Sequence, residues 1–117
     1  MGSGTSSSLK VLMAGASWRL FGSERAAEKL LDAVSGDDEQ NRMLAGISLV
    51  KAGQRSFDLI ERKVEAGEAS RHVISLLPDI GGERSRDLLE ELAHGEPGEK
   101  ATAANECLQL LDRIKKL

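Results

Sequence analysis

From residue 41 to residue 82 the chain presents a helical run with an apolar stripe, a glycine, a second helical run, and then the same events again. The runs are 41–52, 54–66 and 69–80, broken at Gly53, Gly67 and Gly81, and the outer two breaks stand 28 residues apart. That length holds one helix, a tight turn and one more helix, a pair that cannot cover its own apolar stripe. Stacking such pairs side by side covers it, and a period in this range marks an α-solenoid. The fold this predicts is all-α, a right-handed superhelical stack of about three antiparallel helix pairs closed by a C-terminal helix.

The rest of the chain fits the same scheme. Residues 9–21 hold Leu9, Val11, Leu12, Met13, Ala14, Ala16, Trp18, Leu20 and Phe21, with only Lys10 and Arg19 charged. A helix apolar around most of its circumference is either sandwiched or left with a face that wants a partner. Gly22 ends it, and Ser23 is placed to cap a helix in which Ala27, Leu30, Leu31 and Val34 recur at three- and four-residue steps. Met43, Leu44, Ile47 and Val50 form the expected buried stripe of the next helix, and Phe57, Ile60 and Val64 that of 54–66. In 69–80 the stripe is Val73, Leu76, Leu77 and Ile80, and Pro78 should bend or tighten the last turn by removing the bond to the carbonyl of Ile74. Leu88, Leu89, Leu92 and Ala93 mark a helix at 83–94, and Ala104, Cys107, Leu108, Leu111 and Ile114 the last one, 99–117.

Two of these helices share a signature. Ala14-Gly15-Ala16-Ser17 precedes Gly22 as Ala45-Gly46-Ile47-Ser48 precedes Gly53, at a spacing of 31. Small residues in mid-helix cost helix propensity, so their recurrence predicts close packing of helix on helix.

At 117 residues the chain suits a single domain, 9–117, behind a Gly/Ser/Thr leader at 1–8. Gly2 and Ser6 formally fit an N-myristoylation pattern, but one short pattern without a second anchoring signal reads better as a plain leader. A formal charge of −3 supplies no global positive field for phosphate, and only Trp18, Phe21 and Phe57 are aromatic. Both facts argue against nucleic acid as a partner. One cysteine, no signal peptide and no apolar run of membrane-spanning length make the cytoplasm the expected compartment and give no membrane partner.

Catalysis and metal binding find little footing. His72 and His94 stand alone, without a His or Cys at ligand spacing, and no phosphate-binding loop or dinucleotide fingerprint is present. Cys107 lies on an apolar stripe and reads as a small core residue rather than a nucleophile. No catalytic residue, metal site or cofactor is expected.

With Asp38, Arg42, Ala45, Leu49 and Gly53 in place, the segment 38–53 resembles the first helix of a HEAT repeat, of the short bacterial type also found in phycobilisome-lyase-like proteins of the armadillo-like class. The likeness extends over 9–117, with Val11 standing where Arg42 would align and Asp112 where a terminal glycine is expected. It implies an acid–base pairing between neighbouring repeats through Asp37, Asp38 and Arg42. It also implies that the second helix of each pair lines the partner-binding face, which brings forward Arg25, Lys29, Arg55, Asp58, Arg62, Arg84, Arg86 and Glu90. Together these would form a local positive strip on a net acidic protein. The expected function is a non-enzymatic adaptor or scaffold for a protein partner. The apolar first helix around Trp18 and Phe21 offers a further contact, to a partner or to another copy of the chain. Two rival readings stay open: a bilin-lyase-like handling of small molecules, suggested by the family's name-bearing members, and nucleic-acid binding through the basic strip.

Overall fold

The computed structural model describes residues 3–116, with side chains from 8 to 114. Its helices are α1 (Ser3–Phe21), α2 (Glu24–Ser35), α3 (Glu39–Lys51), α4 (Gln54–Glu65), α5 (Arg71–Ile74), α6 (Leu77–Ile80), α7 (Gly82–Ala93) and α8 (Glu99–Lys116). No strand occurs among the described residues, so the fold is all-α. The two glycines that frame the repeated pattern, Gly53 and Gly81, sit at φ 61° and 78°, a region an L side chain enters only under strain. None of the described helices is long and apolar enough to cross a membrane.

The fold divides into two compact units, Met1–Ser56 and Phe57–Leu117, with the division inside the first turn of α4. Helix α1 begins at Ser3 rather than Leu9, so residues 3–8 of the expected leader continue the helix. Gly2, on which the lipid-acceptor pattern depends, lies outside the described residues.

In the first unit α1, α2 and α3 each pack on the other two. Helix α2 forms as its sequence dictates. Ser23 Oγ accepts the Ala26 amide at 3.2 Å, and the three- and four-residue spacing buries Ala26, Ala27, Leu30, Leu31 and Val34. Full burial of an aliphatic side chain the size of Leu30 contributes roughly 1.5–3 kcal/mol before entropy is counted.

Helix α3 departs from its predicted stripe. Its buried residues are Ala45, Gly46, Ser48 and Leu49, while Met43 is 59% and Ile47 48% exposed and Leu44 and Val50 are half-buried. The cause is the crossing with α1, where Gly15 lies so near Ser48 that a Cβ at position 15 would stand 2.9 Å from the Ser48 Cβ. Helices that approach this closely have no room between them for a branched side chain, so small residues take the crossing itself and Met43 and Ile47 turn outward, while Leu49 stays buried. Ser8 Oγ also donates to Asn41 Oδ1 at 3.1 Å. Ser8 to Asn41 and Gly15 to Ser48 are each 33 residues apart, so α1 and α3 run parallel in constant register.

The second unit holds the rest of α4 with α5 to α8, in which α8 packs on α5, α6 and α7 and α6 packs on α7. Its core is built on Phe57, Ile60, Ile74, Leu77 and Leu89, all at most 1% exposed. The predicted helix 69–80 is broken into α5 and α6 rather than bent. Ser70 Oγ caps α5 by accepting the Val73 amide at 3.3 Å. Pro78 has no amide to continue the ladder, and the amides of Asp79 and Ile80 both turn back to the Leu76 carbonyl at 3.1 Å. Val64, Leu76, Ile80, Leu92, Ala93, Leu108 and Leu111, expected in the core, are half-buried, and Ile114, in the last turns of α8, is 57% exposed.

Candidate functional site

Arg25 and Lys29 lie one turn apart on α2, a spacing that puts both on one face of the helix. That face borders α1, where Lys10, Met13, Ala14 and Ser17 recur at three- and four-residue steps. Together with Ser23 and Ala26 these residues line an open cleft of about 280 Å³. Three ammonium or guanidinium groups rim it and no carboxylate does. All three cations are exposed, and none has an ion pair among the described residues. The N-terminal end of α2, at Ser23, adds the positive end of its dipole to the same rim. The floor is apolar, from the buried Ala14 and Ala26, and the exposed Met13 stands at its edge. Such a cleft can seat an anionic group that carries an apolar neighbour.

Of the expected partner-binding residues the structure thus brings Arg25 and Lys29 together, and adds Lys10. Lys10 escaped the sequence reading because it sits in an otherwise apolar run on a first helix. Its seven-residue spacing from Ser17, which places both on the face of α1 next to α2, was the available signal.

Arg55 is placed differently. Its guanidinium Nη1 donates to the Trp18 carbonyl at 2.9 Å and to the Arg19 carbonyl at 3.4 Å, closing the C-terminal end of α1, and the group lies 5.7 Å from the Trp18 ring centroid. Cations are favoured at that end of a helix, where the last carbonyls lack partners. Trp18, expected as part of an apolar contact surface, is 3% exposed. Its Nε1 donates to Ser56 Oγ at 2.9 Å, and Ser56 Oγ in turn donates to the Leu49 carbonyl. An indole with its N–H satisfied in the core is a structural residue. Phe21, three residues on, is 81% exposed.

The remaining candidates belong to the second unit. Arg84 Nη2 donates to Asp58 Oδ1 at 2.8 Å, lies 3.6 Å from Glu61 Oε1, and covers the Phe57 ring at 4.3 Å from its centroid. Arg86 pairs with Asp112 at 2.8 Å and with Glu90 at 3.4 Å, and the Asp112 carboxylate holds its guanidinium above the usual arginine range. Arg62 is exposed on α4. Asp58, Arg84, Arg86 and Glu90 therefore neutralise one another and their neighbours in solvent-screened pairs that add little to stability. The acid–base pairing implied for Arg42 takes another form. Its Nη1 donates to the Gly36 carbonyl at 3.0 Å, while Asp38 Oδ1 caps α3 by accepting the Asn41 amide at 3.0 Å.

Cys107 is buried, and burial is the main cause that raises its thiol pKa. That is the opposite of what a nucleophilic thiol needs. His94 Nδ1 lies 2.8 Å from the Glu90 carbonyl at the end of α7, and His72 borders an open groove with Arg71 and Glu99. No group of His, Cys, Asp and Glu among the described residues is arranged to hold a metal ion. Comparison with protein-family models, with curated proteins and with solved structures finds no match to the chain.

Proposed function

We propose that the chain is a non-enzymatic protein-binding adaptor, built as a HEAT-like stack, that takes an acidic segment of a protein partner into the cleft of Lys10, Arg25 and Lys29. The observation that carries this reading is the convergence on one cleft of three cations without an ion pair among the described residues, in a protein of net charge −3. A small positive site in a negative surround favours a short acidic segment over an extended polyanion, which the rest of the surface repels. The parallel, in-register run of α1 and α3 supports the stacked-repeat part of the reading, since successive first helices of a solenoid run this way. A nucleic-acid reading needs a continuous strip, and Arg84 and Arg86 are engaged with carboxylates. A small-molecule reading needs an enclosed apolar cavity, whereas three clefts formed by the described residues are open and carry charged residues.

The test uses fluorescence anisotropy with two labelled peptides, one alternating Glu and Leu and one alternating Lys and Leu. The Glu peptide should bind, and bind more weakly as salt is raised. The triple reversal Lys10→Glu, Arg25→Glu, Lys29→Glu should weaken it by about tenfold or more, since three exposed contacts of up to about 1 kcal/mol each are lost. Equal binding of both peptides, or tighter binding of a labelled oligonucleotide, would overturn the reading.

A further inference from the structure

The outward face of α1 carries a second feature, which borders the cleft and shares Met13 with it. Leu9, Met13, Ala16 and Leu20 follow one another at steps of four, three and four, which places them in a single seam along the helix. The seam lies opposite the buried residues Val11, Ala14 and Trp18, so α1 has two apolar faces. Leu9 is 57%, Met13 62% and Leu20 72% exposed, and Leu12 beside them 51%. These four side chains leave roughly 450 Å² of apolar surface in one strip, the size at which a patch on a monomer is usually functional. Phe21, one residue past Leu20, lies off the seam.

We propose that this seam pairs with the same seam of a second copy, with the two α1 helices antiparallel. The seam is self-complementary in that direction only. An antiparallel match centred between Ala14 and Gly15 sets Leu9 against Leu20 of the second copy and Met13 against Ala16, so every layer joins residues whose volumes fit. A parallel match sets Ala16 against Ala16 and Met13 against Met13, which leaves a hole in one layer and crowding in the next. On the flanks the antiparallel match brings Lys10 beside Ser17 and Arg19 beside Leu12 of the other copy, with no like charges in contact. The same residues meet in exchanged roles, as a two-fold interface requires. Two strips give about 900 Å² of apolar surface, and the flanking residues bring the total near the ~1,200 Å² lower bound of specific interfaces, the size range of weak, concentration-dependent association.

Sedimentation equilibrium of the full chain tests this. The mass should rise with concentration from 12.6 kDa toward twice that value. Leu9→Glu alone and Leu20→Lys alone should each keep the protein monomeric, with helical content and Trp18 emission unchanged to show that the fold is intact. Mixing the two variants should restore the dimer, because the introduced carboxylate then faces the introduced ammonium across one half of the seam while Leu20 meets Leu9 in the other. A wild-type monomer at the highest concentrations, or a dimer indifferent to either substitution, overturns the interface. Two monomeric variants that fail to rescue each other overturn the antiparallel match.

Discussion

Position 15 is where the packing of the first unit can be tested most sharply. Replacing Gly15 with Ala in an isolated helix would stabilise it by roughly 0.5–1 kcal/mol, since glycine costs more backbone entropy. Here the added methyl would stand 2.9 Å from the Ser48 Cβ and closer still to its Oγ, and no relaxation of the Ser48 rotamer removes the Cβ contact. Overpacking of this kind costs about 1–3 kcal/mol. The net expectation for Gly15→Ala is a loss of about 1–2 kcal/mol, a fall in Tm of several degrees for a chain of this size. In the background Ser48→Gly both obstructing atoms are gone, and the same Gly15→Ala change should gain about 0.5–1 kcal/mol. The sign of the effect therefore reverses, with a coupling of about 1.5–3 kcal/mol across the cycle. Ser48→Ala, which removes the hydroxyl and keeps the Cβ, should fall between the two. Urea unfolding followed by circular dichroism on the four proteins of the cycle, and on Ser48→Ala with and without Gly15→Ala, measures all of this. Additivity within about 0.5 kcal/mol would refute the close crossing of α1 and α3.

Two further outcomes follow from single residues. Ser85 Oγ is buried with no hydrogen-bond partner among the described residues, so Ser85→Ala should stabilise by about 1 kcal/mol, and a loss of stability in the same urea assay would mean the hydroxyl is satisfied. Cys107 has a raised thiol pKa in the folded state, so its contribution is complete below the unfolded thiol value of about 8.5 and is lost as pH rises beyond it. Unfolding free energy should thus decline more steeply above that pH in the wild type than in Cys107→Ala, and identical slopes would contradict the burial of the ionisable group.

The parts of the fold legible in the sequence were those in which hydropathy and local capping agree. Ser23, Leu30, Leu31 and Val34 fixed α2 because an amide-accepting hydroxyl and a three-four apolar spacing pointed to the same helix. Helix α3 misled because its apolar residues and its small residues lie on opposite faces, and periodicity ranks Ile47 and Met43 as inward whenever volume is ignored. The Ala-Gly-x-Ser signature carried the competing information, and close approach of backbones decided between them. Pro78 was visible as a perturbation, yet its consequence, a restart at Leu76 rather than a bend, depended on which carbonyl the next two amides reached. At the surface, the charges of α7 were readable as residues but not as partners. Asp58 could pair with Arg62 along its own helix by spacing alone, and in the fold it meets Arg84 instead.

Ser56 and Arg55 stand on α4, yet their hydrogen bonds run back to the Leu49 carbonyl and to the last turn of α1. This decides where the chain can be dissected. A piece cut after Ala52 retains α1, α2 and α3 whole, but it strands the Trp18 N–H in an apolar interior and uncovers the carbonyls that Arg55 closes. A piece carried on to Ser56 keeps both attachments and leaves Phe57 and Ile60 to the core of the second unit, so the natural cut for expressing the N-terminal half alone lies after Ser56 and not in the glycine break before α4.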